Sequence, residues 1–194
     1  LDSLAMVSSN PELVCAAKWA IANIGGKKAQ EVLLKSPLDS SNHVGRCAAM
    51  GMIECGTEAA ANGSTTAAKE LFSKIIDSPV DDEIRATAFA SLANISNNGP
   101  EMIVEAITGD DQAVKKRAVR LVRLLDEDDH IRTAASKLDE LDVSGKIELI
   151  ASLEQTGSRA ALDAIIKAVS AQAKQVRIAA LEAIGELGTA PTVL

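Results

Sequence analysis

The chain has 194 residues, of which 47% are hydrophobic but only 2% aromatic, and it contains no tyrosine. Alanine and aliphatic side chains must therefore fill the core, which favours closely packed helices and argues against a β-rich fold, where aromatic and β-branched residues are usual. The net charge of −7 offers little attraction to polyanions, so nucleic acid and anionic membranes are poor partners. No apolar run approaches the roughly 20 residues that span a bilayer.

An amphipathic helix pattern recurs along the chain about every 31 residues, with one longer interval. Its central position holds Ala17, Ala48, Ala88, Ala118, Leu149 and Ala180. Apolar residues four before, four after and seven after this centre form one stripe, as Leu13, Ile21 and Ile24 do in the first helix. Seven residues before the centre stand good helix N-caps: Asn10, Ser41, Asp81, Asp111 and Asp142. Eight residues after it, a glycine is expected to end the helix at Gly25, Gly56, Gly157 and Gly188.

Between these second helices lie shorter apolar segments, which we interpret as the first helices of helical hairpins. They span residues 1–7, 27–35, 65–77, 100–108, 128–139 and 158–169, and residues 190–194 would begin a seventh. The one longer interval is explained by a polar insertion at 57–64, which we expect to be a surface loop.

One repeat of this length cannot bury both faces of its helix pair, so neighbouring repeats must stack to close the core. The sequence therefore predicts an all-α fold, an α-solenoid of about six antiparallel hairpins that forms a single array over residues 1–194. The repeats would span 1–25, 26–56, 57–96, 97–126, 127–157 and 158–188. Because the chain begins at Leu1 and ends within another predicted helix, we expect it to be a piece of a longer array.

The second helices carry the motif of a known repeat. An aspartate at the turn, a valine or isoleucine followed by arginine, and an aliphatic stripe are best kept in Asp81–Arg85 and in residues 176–188. In these features the chain resembles the HEAT repeat, in the short form of bacterial HEAT-like and phycobilisome-lyase-type arrays. The arginine is absent from the first two repeats, and Gly145 and Thr156 depart from the pattern in the fifth. The resemblance implies a scaffold that binds partners, usually proteins, along the concave face made by the second helices.

Positions opposite the core stripe should line that face. Near the N-terminus they include Trp19, Met50 and Ile53, which are candidates for an apolar contact, since tryptophan and methionine are favoured at binding surfaces. The alternative is packing against a neighbouring repeat. In the fourth repeat they include Lys116, Arg120 and Arg123, which belong to the one dense basic cluster and could receive an acidic segment or a phosphate. The alternative is a solvated face balanced by the acids at 126–129.

No catalytic constellation is visible. Cys15, Cys47 and Cys55 lack metal-ligand spacing and are interpreted as small buried hydrophobes within helices. His130 follows an acidic run that is better explained as a helix start than as a metal site. We therefore predict no catalytic residue, no cofactor and no metal.

The predicted function is a non-catalytic scaffold that binds a protein or peptide, for example one with an acidic segment, and neither nucleic acid nor membrane. A cytoplasmic location is expected. The alternative is a HEAT-like enzyme or nucleic-acid-processing module, similar to DNA-repair glycosylases or phycobilin lyases. A repair enzyme would need a basic channel with aromatic groups against the nucleotide, whereas this chain is acidic and has one tryptophan.

Overall fold

A computed structural model describes residues 10–189, with side chains through residue 188. The described chain is all-helical: it forms eleven α-helices and contains no strand. The predicted helices at 1–7 and 190–194 lie outside the described residues. The chain divides into two compact units, residues 1–99 and 100–194. That these units form one continuous array stays a prediction.

In its described part, from residue 10 onward, unit 1 contains five helices. They are α1 (Pro11–Ile24), α2 (Gly26–Leu34), α3 (His43–Ala61), α4 (Thr65–Ile76) and α5 (Asp82–Ile95). In the hairpin pattern, α1, α3 and α5 are second helices, and α2 and α4 are first helices. Helix α3 packs against α1 and α5, and α2 and α4 also pack against it. Leu33, Met52 and Phe72 are among the fully buried side chains at the centre of this unit.

Unit 2 repeats the arrangement. Its helices are α6 (Gly99–Ala106, which begins at the boundary), α7 (Gln112–Leu121), α8 (Asp128–Ser136), α9 (Val143–Gln155), α10 (Leu162–Ala168) and α11 (Lys174–Thr189). Short 3₁₀ segments continue α7 over Val122–Leu124 and α8 over Lys137–Glu140, and Arg159–Ala161 precedes α10. Helix α9, a second helix in the hairpin pattern, packs against the second helices α7 and α11. The first helix α10 packs against α11.

The central column of the repeat is confirmed as core. Its six residues are at most 5% exposed: Ala17, Ala48, Ala88, Ala118, Leu149 and Ala180. Every predicted hairpin helix within the described part of the chain is present, with ends within a few residues of the expected ones. Five of the six are alanine, and small side chains at such positions let neighbouring helices approach closely.

The stripe on the first helix is rotated from its predicted position. Leu13 is 45% exposed and Ile24 is 67% exposed, so neither is the core residue that the sequence pattern predicted. Burial falls instead on Val14, Ala17 and Ile21, together with the neighbouring Lys18 and Ala22. The buried face of α1 is therefore rotated. It includes some residues of the predicted stripe and also residues that directly follow a member of the stripe.

Helix capping follows the predicted column at three of its five positions. The side chains of Asn10, Asp111 and Asp142 accept hydrogen bonds from main-chain N–H groups in the first turns of α1, α7 and α9. On α3 the cap is Asn42, not the predicted Ser41. Asp81 precedes α5, but its carboxylate makes no cap bond and lies 2.6 Å from the guanidinium of Arg46 instead. That ion pair links α5 to α3.

Two of the four predicted glycine stops are correct. Gly25 and Gly157 follow α1 and α9 and have positive φ angles of 62° and 68°, which glycine adopts without steric cost. Gly56 instead lies inside α3, where a Cβ atom would stand 2.8 Å from the Phe72 ring, so this glycine is required for close packing. Gly188 lies inside α11, so the predicted stop there is also wrong.

The insertion at 57–64 is only partly a loop. Helix α3 continues through it to Ala61, and Ala59 is buried. Alanine and glutamate are strong helix formers, and no helix-ending residue interrupts them before Asn62 and Gly63. The longer repeat interval therefore corresponds mainly to a longer second helix.

The interpretation of all three cysteines as buried hydrophobes is wrong for two of them. Cys15 on α1 and Cys47 on α3 form a disulfide, with a Cα–Cα distance of 5.5 Å. Cys55 is a free, buried thiol as predicted, and burial, with a smaller effect of Glu58, raises its pKa. The packing of α1 against α3 creates the disulfide, because it brings together two positions that are 32 residues apart.

Two lysines from neighbouring helices hold the end of α2. The ammonium of Lys18 is buried and donates to Oγ of Ser36, whose hydroxyl donates to the carbonyl oxygen of Val32 at 3.0 Å. Lys74 on α4 donates to the main-chain carbonyl oxygens of Leu34 and Ser36. Burial lowers the pKa of Lys74. Cations suit this position, since the C-terminal end of a helix carries partial negative charge.

Within residues 10–189, none of the helices is both long and apolar enough to cross a membrane.

Candidate functional site

The six predicted binding residues fall into two groups, one in each unit. We call Trp19, Met50 and Ile53 the apolar patch; they lie on α1 and α3 of unit 1. We call Lys116, Arg120 and Arg123 the basic row; they lie on α7 and its 3₁₀ extension in unit 2. Each group is described within its own unit.

The apolar patch is unevenly exposed. Met50 is 40% exposed, whereas Trp19 and Ile53 are half-buried. Ile53 packs against the core of unit 1, so the packing alternative accounts for a part of its surface. Trp19 follows Cys15 by four residues and Met50 follows Cys47 by three, so the disulfide lies one helical turn before both. A covalent link thus fixes the two helices beside the patch.

The basic row lies on one exposed face of its helix. Its members are spaced by four and three residues, which places them on one side, and all three are exposed. The opposite side of the same segment is buried through Ala118 and Val122. The amphipathic pattern thus forces the basic side chains outward.

A groove runs beside this row, between α7 and the beginning of α9. It is a cavity of about 310 Å³ whose lining includes Lys116, Val119 and Glu148. The Arg120 guanidinium lies 3.0 Å from a carboxylate oxygen of Glu148, while 62% of the Arg120 side chain stays exposed. The groove therefore has a cationic wall on α7, with Lys115 and Lys116, and three acidic residues on its other side, Glu140, Asp142 and Glu148.

The acids at 126–129 make no ion pair with the row among the described residues. The carboxylates of Glu127 and Asp129 lie 3.5 Å from His130 and 2.6 Å from Arg132, respectively. Asp128 accepts a hydrogen bond of 2.6 Å from Ser158. In the part of the chain that is described, no ion pair involves Lys116 or Arg123. The alternative of a locally balanced charge cluster thus has no support from these contacts.

Two features were not predicted from the sequence. The first is a cavity of about 800 Å³ in unit 2, bordered by α8, α10 and the first turns of α9 and α11, with Asp139, Lys146 and Lys167 among its lining residues. Nothing in the sequence signals it, because it arises where the ends of four helices leave space. The second is the group of Cys15, His43 and Cys47. The four-residue spacing from His43 to Cys47 on one predicted helix was its only sequence signal.

No family model matches the chain, and no curated protein does. Among solved structures, it is similar to the crystal structure of an engineered protein, with 19% sequence identity and a TM-score of 0.49. That similarity covers 97% of this chain and 96% of the engineered one.

Proposed function

We propose that the protein is a non-catalytic scaffold, a HEAT-like α-solenoid whose second helices bind an acidic segment of a protein partner. The observation that carries this proposal is that two of the three cations in the basic row have no ion-pair partner among the described residues. Lys116 and Arg123 are exposed and make no described ion pair, although an acidic run follows them closely in the chain. A carboxylate-rich peptide on this face would meet charges that the protein itself has left available.

The groove beside the row supports an extended ligand. Lys115 and Lys116 line its α7 side, so the carboxylates of an extended peptide would lie along α7. Glu148, already paired with Arg120, would disfavour an acid directly over α9 and so direct the carboxylates of the ligand towards α7.

The apolar patch is the second proposed contact. Met50 offers a flexible, exposed apolar side chain, and Trp19 offers a half-buried aromatic one. Residues of these types contribute strongly to binding when a partner covers them. We propose that the patch binds an apolar segment of the partner independently of the basic row.

The test is fluorescence anisotropy with a labelled glutamate-rich peptide, compared with the same peptide carrying glutamine in place of glutamate. Each exposed ion pair contributes about 0.2–1 kcal/mol. Reversing two charges removes two attractions and adds two repulsions, so Lys116→Glu with Arg123→Glu should cost about 1–3 kcal/mol, or roughly 5- to 150-fold in affinity. Binding should weaken with added salt, and the glutamine peptide should bind poorly.

The matched control is Lys167→Glu with Lys174→Glu, which makes the same change in net charge at exposed positions elsewhere in unit 2. This control should keep the wild-type affinity. If it weakens binding as much as the row variant does, the effect is net charge and the proposed site is wrong. If a labelled DNA duplex binds more tightly than the acidic peptide at the same salt concentration, the nucleic-acid alternative replaces the scaffold.

For the apolar patch, Trp19→Ala with Met50→Ala should leave peptide binding at the basic row intact. It should reduce binding of a separate, aromatic peptide to unit 1. An unchanged affinity for this aromatic peptide would refute the patch as a contact. Circular dichroism should confirm that every variant remains helical.

A further inference from the structure

Three side chains that bind soft metal ions converge between α1 and α3. The Sγ atom of Cys47 lies 3.7 Å from Nε2 of His43, and Cys15 is bonded to Cys47. The ligand atoms of all three residues lie within 4.8 Å of one another. His43 and Cys47 are held on one face of α3 by their spacing of four residues, and the packing of α1 supplies Cys15. His43 is exposed, which gives an ion a path from solvent.

Two thiolates and one imidazole are a ligand set typical of Zn²⁺. With Zn–S bonds of about 2.3 Å and Zn–N bonds of about 2.0–2.1 Å, a tetrahedral site places sulfur and nitrogen about 3.6 Å apart. The distance between Cys47 and His43 already matches this value. The disulfide keeps the two sulfur atoms too close to act as separate ligands, and its sulfurs carry no thiolate charge. Metal binding and the disulfide are therefore mutually exclusive.

We propose that Cys15, His43 and Cys47 form a redox-gated Zn²⁺ site, closed by the disulfide and opened by its reduction. With three protein ligands, the fourth position would be left to water, which can reach the site because His43 is exposed. In a reducing compartment such as the cytoplasm, thiols prevail and the site is open. Under oxidising conditions the ion leaves and the covalent link between α1 and α3 replaces it.

The chemistry balances with a dithiol as reductant. The dithiol gives two electrons and two protons to the disulfide, which leaves thiols at Cys15 and Cys47 and a disulfide on the reductant. Zn²⁺ then forms two Zn–S bonds as both thiol protons pass to solvent, and neutral His43 donates a nitrogen lone pair. Oxidation by a small-molecule disulfide reverses the sequence: the oxidant becomes two thiols and Zn²⁺ is released.

The experiment is a Co²⁺ titration of the full chain, because tetrahedral Co²⁺ reports on the same ligands by absorption. After reduction with a phosphine and its removal under nitrogen, Co²⁺ should produce intense visible bands and sulfur-to-cobalt charge transfer in the near ultraviolet. Added Zn²⁺ should bleach both. The fluorescence of Trp19 should fall on Co²⁺ binding, because Trp19 lies one turn from Cys15 on α1. The oxidised protein should show none of these changes.

The chain supplies matched controls. It contains two histidines, so His43→Ala is compared with His130→Ala in the other unit, and Cys47→Ser is compared with Cys55→Ala. Removing the hydrogen-bond partner of a metal ligand costs about 10- to 100-fold in metal affinity. Removing a ligand itself should therefore cost at least about a hundredfold. His43→Ala and Cys47→Ser should show this loss, and the two control variants should bind as wild type does.

Three results would overturn the site. They are equal Co²⁺ affinity in the oxidised and reduced chains, wild-type affinity in His43→Ala, and a spectrum without sulfur-to-cobalt charge transfer. If reduction unfolds unit 1, Zn²⁺ should restore its Trp19 fluorescence; failure to restore it equally refutes the proposal. Because His43 is exposed, its replacement tests the ligand set without disturbing the core.

Discussion

Replacing Gly45 by alanine should destabilise unit 1, although the same change in a helix is ordinarily favourable. Gly45 is the third residue of α3. Its N–H donates a hydrogen bond of 2.7 Å to Oδ1 of Asn42, the N-cap residue. A Cβ atom there would lie 2.6 Å from the main-chain nitrogen of Asp39 and would also clash with its carbonyl oxygen, whereas ordinary contacts begin at 3.4 Å. The obstructing atoms are backbone, so no side-chain rotation relieves the clash.

The substitution destabilises unit 1 because its steric cost exceeds the gain in helix propensity. Overpacking costs about 1–3 kcal/mol, and moving α3 away from Asp39 also weakens the Asn42 cap, which contributes about 1 kcal/mol. The gain in helix propensity from glycine to alanine is at most about 1 kcal/mol. The net loss is therefore about 2 kcal/mol. With an m-value of about 2 kcal/mol/M, the urea midpoint should fall by about 1 M.

Gly185→Ala is the matched control. Gly185 lies in the interior of α11, is exposed, and has no neighbouring atom within 4 Å of an added Cβ. Alanine there should raise the free energy of unfolding by about 0.5–1 kcal/mol. Urea titrations followed by circular dichroism measure both variants, and the fluorescence of Trp19, the single tryptophan, reports on unit 1 alone. A Gly45→Ala variant as stable as wild type would refute the close approach of Asp39 to α3.

The remaining predictions concern buried polar groups of unit 1. Ser36→Ala removes an acceptor of the buried Lys18 ammonium and should lower the free energy of unfolding by about 1–3 kcal/mol in urea titrations, whereas an unchanged midpoint would contradict this role. Without reductant, a chromogenic thiol reagent should find no accessible thiol in the native chain and only Cys55 in denaturant, because burial shields that thiol and raises its pKa; three reactive thiols would contradict the disulfide. Burial lowers the pKa of Lys74 below 10.5, so the unfolded chain keeps this proton to higher pH and the contribution of Lys74 to stability rises with pH through that window. Urea titrations over this pH range should show that the free energy of unfolding rises less steeply with pH for Lys74→Met than for the wild type. Equal dependences on pH would contradict the assignment.

Local sequence signals predicted most of the helices. The buried alanines at 17, 48, 88 and 118 and the caps at Asp111 and Asp142 depend on residues within one helix, so periodicity and capping rules suffice. The exposure of Lys116, Arg120 and Arg123 was predictable for the same reason, because the helix period alone places them opposite a buried face.

Two of the errors involve residues that are distant in the chain. Gly56 was expected to end α3, but it is needed because the ring of Phe72 lies against it. Cys15 and Cys47 were treated separately, because only the packing of α1 on α3 brings them together. Periodicity describes one helix at a time and says nothing about which atoms of a neighbouring helix will face a given position.

The bond between Cys15 and Cys47 closes a covalent ring that encloses all of α2 and the connection to α3. A protease that cuts once within this ring leaves both fragments attached, so the nicked chain keeps its mass until a reductant separates the pieces. On a chain-entropy estimate, a ring of this size restricts the unfolded state by about 3–4 kcal/mol. The packing of α1 on α3 is thus protected from stepwise unravelling, and a change in redox conditions would remove that protection in a single chemical step.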